Sequence, residues 1–170
     1  MNAAQRREHI YTQLLTAAAP LSATALAKQY NVSRQIIVGD IALLRAGGCS
    51  ITATPRGYVI PAGGGMTVQL PCCHSAAETR EELYAMVDCG CTVQDVIVEH
   101  PVYGQLTAPL QLSSRYDVDQ FIRSMASSDA RPLSALTEGI HLHTLSCPSD
   151  DALAHLKENL RQMGVLLEQD

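Results

Sequence analysis

The run Pro61-Ala62-Gly63-Gly64-Gly65 constrains this chain more than any other stretch. Each glycine inside a helix or strand costs about 0.5–1 kcal/mol relative to alanine, so three in a row interrupt any regular element. No GK[ST] follows them and no helix opens on them, which removes a phosphate loop and leaves a hinge. The 170 residues are therefore expected to form two small domains, 1–61 and 67–170, joined at 62–66.

Charge divides at the same place. Residues 1–61 hold Arg6, Arg7, Lys28, Arg34, Arg45 and Arg56 against Glu8 and Asp40, a net +4, while residues 62–170 hold six basic residues against fifteen acids, a net −9. A basic first half suits a polyanion such as DNA, and an acidic second half limits non-specific adhesion. Apolar runs fall well short of the ~20 residues that span a bilayer, so no membrane-spanning segment and no membrane partner are expected. Met1–Glu8 leads into an amphipathic helix rather than an export signal, so a cytoplasmic location is expected. The six cysteines (49, 72, 73, 89, 91 and 147) are then expected to be reduced. None of them form a CxxC, which argues against a zinc ribbon or a redox motif.

Periodicity supplies the elements. Ile10, Leu14, Ala17 and Ala18 mark a helical stripe from Arg6 that ends before Pro20. Ser22 suits the N-cap of a second helix with Leu26 and Tyr30 inward, and Ser33 caps a third with Ile37, Ile41 and Leu44 inward. Gly47-Gly48 stops that helix, and Ser50–Ile60 reads as a hairpin around Pro55-Arg56-Gly57. Three helices and a hairpin make a winged helix-turn-helix. With the stripe buried, Arg34, Gln35 and Val38 face outward from the leading turns of the third helix, as groove-reading residues do. Arg can bond guanine, Gln can bond adenine, and Val38 can touch a thymine methyl. Ser33 and Lys28 suit phosphates, and Arg56 at the hairpin tip suits the minor groove or the backbone.

Beyond the hinge the order is strand 66–72, helix 76–88, strands 92–99 and 105–113, helix 116–128, strand 139–146 and helix 150–163. Asp117 or Asp119 suits the start of the middle helix, and Ser149 caps the last. A β-α-β-β-α-β-α order argues for a mostly antiparallel sheet with helices on one face, an α/β (α+β) class overall. His141-Leu142-His143 is the most informative tripeptide, because alternate strand residues share a face and both imidazoles project together. Two such imidazoles are half of a transition-metal site, although HxH also occurs as surface decoration. His74 ends the domain's first strand and Glu82 lies one turn into the next helix.

The stretches Glu82-Leu83-Tyr84, His100-Pro101-Val102-Tyr103-Gly104, Ser114–Val118 and Pro132–Thr144 resemble the three-histidine (3H) domain. Val32–Ile41 with Thr54–Tyr58 resembles the helix-turn-helix that accompanies it in the NiaR-type repressors of NAD-biosynthesis and niacin-uptake genes. The resemblance covers almost the whole chain. It implies an HPr-like two-layer domain whose first and fourth strands are adjacent, with a divalent metal on His74, Glu82, His141 and His143. It also implies nicotinate as co-repressor, a homodimer and an operator of double-stranded DNA. His100 is a further histidine of the signature, expected in the effector pocket; Arg115 is a candidate for the effector's carboxylate and Tyr103 for its ring.

A donor set of three histidines and a glutamate suits nickel, zinc, iron or cobalt, and a nearby thiolate from Cys72, Cys73, Cys89 or Cys91 would turn the preference toward zinc. Two other functions remain open at this point. One is a metal-dependent enzyme acting on a pyridine carboxylate with a DNA-binding appendage. No nucleotide loop, nucleophile motif or separate general base supports it, so a non-enzyme is expected. The other is a protein-interaction adaptor with a structural metal.

Overall fold

The computed structural model describes residues 1–61 and 66–168. The chain divides into two compact units, Met1–Gly63 and Gly64–Asp170. Residues 62–65 of the expected joint lie outside the described residues, and Met66, its last residue, already belongs to a strand.

In the first unit, α1 (Ala3–Thr16), α2 (Ala23–Tyr30) and α3 (Arg34–Ala46) precede a hairpin of β1 (Thr52–Thr54) and β2 (Gly57–Val59). Asn2 and Gln5 cap α1 reciprocally, so it starts before Arg6. It also ends at Thr16, leaving Ala17 and Ala18 exposed beyond it. Ser22 and Ser33 accept from the backbone N–H groups of Ala25 and Ile36, satisfying donors that a helix start leaves unpaired. Asn31, in the left-handed region at φ 52°, makes the tight turn between α2 and α3. Ile10, Leu14, Leu26, Ile37, Ile41 and Ile51 form the core. The hairpin is tied to α2 by paired bonds between the backbones of Leu21 and Tyr58 (3.0 and 2.9 Å). A side chain on Gly57, at φ +138°, would lie 2.6 Å from the Leu21 backbone, so only glycine fits there.

The second unit is a four-stranded sheet in the order β3-β6-β4-β5, built from β3 (Met66–Cys73), β4 (Thr92–His100), β5 (Gly104–Leu112) and β6 (Ile140–Cys147). Every neighbour pair is antiparallel, and the first and fourth strands are adjacent. Helices α4 (Thr79–Asp88), α5 (Arg115–Ser127) and α6 (Asp150–Gln162) supply Leu83, Met86, Val118, Leu156 and Leu160 to a core shared with Leu70, Val93, Val96, Leu112 and Leu145 of the sheet. Helix α5 is capped by Ser114; Asp117 instead accepts from the backbone N–H of Ser113, so neither aspartate is the cap. Two features have no periodic signature in the sequence. One is the 3-10 turn Leu133–Thr137. The other is a C-terminal segment that bonds to the outer edge of β3 through Cys73 N to Val165 O (2.8 Å) and Leu167 N to Pro71 O (2.9 Å).

Candidate metal centre and DNA-facing surface

The register of β3 with β6 sets His141 opposite Cys72 and His143 opposite Leu70. Period-two alternation puts Leu70, Cys72 and then His74 on the buried face of β3, and His141 and His143 on the same face of β6. Helix α4 packs over this face and lowers Glu82, 1% exposed, among the three rings. One Glu82 oxygen lies 2.6 Å from His74 Nε2 and 3.3 Å from His143 Nε2; the other lies 2.8 Å from His141 Nε2. The four residues expected from widely separated stretches are therefore brought together.

Each ring's second nitrogen fixes its role. His74 Nδ1 donates to the Ser75 carbonyl (2.6 Å), His141 Nδ1 to the Gly139 carbonyl (2.8 Å) and His143 Nδ1 to the Asp95 carbonyl (2.7 Å). A carbonyl can only accept, so all three Nδ1 atoms bear hydrogen. In a neutral ring Nε2 is then a bare lone pair. Three lone pairs facing a carboxylate repel it unless positive charge sits between them. Protons on Nε2 can supply that charge, and so can a cation held by all four groups. Imidazoles oriented by backbone carbonyls are the usual outer support of a metal site. The residues present fit a divalent transition metal.

The electrostatics agree. Burial alone would lift the Glu82 carboxyl. The charge of His143 and hydrogen bonds from His141, His143 and His74 overcome it and hold the group well below the usual carboxylate range. Burial would lower His74, yet its hydrogen bond to Glu82 and the carboxylate's charge raise it; His143 is raised against burial in the same way.

Gly139 makes the approach of β3 and β6 possible. It sits at φ +95°, and a side chain there would come within 2.3 Å of the His74 carbonyl oxygen. A cavity of about 30 Å³ adjoins the centre, with Leu83, Val96, Leu110, Phe121 and Leu133 among its lining residues. That is room for one water or ion, not for an aromatic acid. On the other side of His74 and Ser134 lies a wider hollow of about 440 Å³, which Cys73, Ser75, Glu138 and Gly139 also line. Phe121, Leu133 and Ser134 were not found from the sequence, because one lies on a half-buried helix face and two in a turn without period. Phe121 being the chain's sole phenylalanine was the available hint.

The structure does not bring the three expected effector residues to this cavity. His100 Nδ1 accepts from the backbone N–H groups of Val102 and Tyr103 (3.1 and 3.2 Å), and Tyr103, 75% exposed, packs on His100. Both serve the β4–β5 turn. Arg115 donates to both oxygens of Asp88 (2.8 and 2.6 Å) and lies over the Tyr84 ring, lining a different hollow.

In the first unit Ser33, Arg34, Gln35 and Val38 are exposed on the leading turns of α3, as is Lys28 near the end of α2. Arg34 and Arg56 line one concavity of about 250 Å³ with Ser22 and Thr24 at the start of α2. At least three of the unit's cations are structural. Arg6 (2.6 Å) and Arg7 (3.5 Å) pair with buried Asp40, and Arg45 donates to the Ile51 carbonyl (2.8 Å).

A 3H domain model matches residues 67–169, and a helix-turn-helix (HTH) domain model matches residues 6–59. The chain is 42% identical over 170 residues to the transcription repressor NadR of Bacillus subtilis (strain 168), covering 97% of this chain and 94% of that protein. The chain belongs to the NadR/NiaR family of transcription repressors. It is also 40% identical over 151 residues to the probable transcription repressor NiaR of Thermotoga maritima, covering 88% of this chain and 86% of that one. As a NadR/NiaR-family repressor it carries its DNA-binding function on the helix-turn-helix, while the histidine centre lies wholly in the 3H domain. Among the described residues no helix is long and apolar enough to cross a membrane.

Proposed function

We propose that this chain represses NAD-biosynthesis and niacin-uptake genes with nicotinate as co-repressor, sensed by a 3H domain that holds a divalent transition metal. It acts in the cytoplasm as a homodimer, each helix-turn-helix reading a half-site, and as a regulator rather than an enzyme. The observation that carries this is the convergence of three oriented imidazoles and one buried carboxylate beside an apolar cavity.

His74, Glu82, His141 and His143 would hold the metal, with nickel or zinc favoured and iron or cobalt compatible. When bound, it supplies the positive charge that an aromatic carboxylate requires, a charge Arg115 cannot provide from its pairing with Asp88. Leu83, Val96, Leu110, Phe121 and Leu133 offer the ring an apolar lining once the cavity widens. Since about 30 Å³ does not admit the ring, the turn carrying Leu133 and Ser134, or Phe121 of α5, must yield on binding. That movement couples effector to DNA, and the coupling is reciprocal.

The test is fluorescence anisotropy on fragments upstream of the organism's NAD-biosynthesis and niacin-uptake genes, with and without nicotinate, in metal-loaded and metal-free protein. Nicotinate is expected to tighten binding only in the loaded protein. One affinity under all four conditions would overturn the sensor.

A further inference from the structure

We infer that Cys72 is a further ligand of this metal centre, making it a mixed imidazole, carboxylate and thiolate site; this rests on the metal reading above. Cys72 is fully buried on β3, two residues before His74 and directly opposite His141. Its Sγ, a Glu82 oxygen and a His141 ring nitrogen all lie within 4.8 Å of one another. Zinc holds nitrogen, oxygen and sulfur donors at about 2.0–2.3 Å, so adjustments of an ångström or less would close Cys72, Glu82 and His141 around a shared ion, and with His74 and His143 the site would offer five donors.

In the metal-free protein burial, together with the Glu82 carboxylate that the Cys72 thiol faces, keeps that thiol protonated. Its other contact is a 4.0 Å approach to the Leu70 carbonyl, at the outer limit for sulfur. The backbone behind it is held by the C-terminal segment, where Leu166 bridges to Cys72 itself, so the side chain stays directed at the cluster. Cys73 alternates to the opposite face, and Cys91 and Cys147 are occupied with each other at 2.7 Å.

On binding, a sulfur–metal bond forms and the Cys72 S–H proton leaves to solvent. The thiolate and the Glu82 carboxylate together balance a divalent ion. A soft sulfur donor moves selectivity toward zinc and away from hard, oxygen-preferring ions such as magnesium and manganese.

The test is absorption spectroscopy of the full-length protein loaded with cobalt(II). Visible ligand-field bands report occupancy, and a near-ultraviolet thiolate-to-cobalt charge-transfer band reports sulfur. The wild type is expected to show both; Cys72→Ser keeps the visible bands and loses the charge-transfer band, while Cys73→Ala keeps both. X-ray absorption of the zinc-loaded wild type, which needs no variant, should show a sulfur at about 2.3 Å. Visible bands without a charge-transfer band, or a charge-transfer band that survives Cys72→Ser, would overturn the thiolate and leave the histidine site standing. If no cobalt were retained at all, the metal reading itself would fall, and this inference with it.

Discussion

A carboxylate buried as deeply as Glu82 would ordinarily take up a proton, yet three imidazoles keep it charged. This gives the metal-free protein a specific dependence on pH. Glu82 is depressed, so its contribution to stability is present above the ordinary glutamate value of about 4.3 and is lost as pH falls through its folded value. His74 and His143 are raised. Their contribution is full below the ordinary histidine value of about 6.5 and is lost as pH rises through their folded values. Urea unfolding in chelator should therefore show the second domain most stable between about pH 4.3 and 6.5. Glu82→Gln should flatten both limbs and cost about 3–5 kcal/mol inside that window, as removing one partner of a buried ion pair does. A stability that only rises from pH 5 to 8 in the metal-free protein would refute this balance. A metal held as proposed would reverse the upper limb, because it requires neutral imidazoles.

At the scale of elements, the centre depends on two strands passing closely enough to share it, and Gly139 sets that distance. Gly139→Ala should destabilise the second domain by more than about 1 kcal/mol, the usual cost of a glycine-only backbone conformation, with a backbone clash added. Retained cobalt, read as visible absorbance after gel filtration, should fall along with the unfolding midpoint. Wild-type stability and metal retention in that variant would show that the 2.3 Å approach relaxes freely.

The element scale is also where the sequence was most readable. His141 and His143 were legible because a strand's period is two, and the same period joins Cys72 to His74. Glu82 was only a weak candidate from its place one turn into the helix, and family resemblance raised it, since nothing in its own helix distinguishes it from Glu81. The turn Leu133–Thr137 and the strand-like Val165–Leu167 were not, because their positions depend on partners distant in sequence. His100 and Tyr103 drew attention as functional types, but two backbone N–H groups at a hairpin turn account for the histidine.

Across the whole molecule, the net charge of the first domain overstates what DNA can meet, since Arg6, Arg7 and Arg45 are engaged within the domain. With those three engaged, the exposed Lys28 and Arg34 are the residues at which to test DNA contact. Arg34→Ala should cost about 1–3 kcal/mol on the operator and reduce the preference for it over random DNA. Lys28→Ala should weaken all sequences about equally and reduce the salt slope by about one. Anisotropy titrations over a range of salt concentrations separate the two effects. An Arg34→Ala protein with unchanged operator preference would reassign base reading to Gln35 or Val38.

The segment Val165–Leu167, lying along β3, has a further consequence for the folded chain in a cell. An exposed strand edge recruits other chains, and this short stretch seals the one nearest the histidines. A protease that trimmed it would take Val165 out of the second domain's core and unmask a sticky border at once, so the damaged repressor should clump.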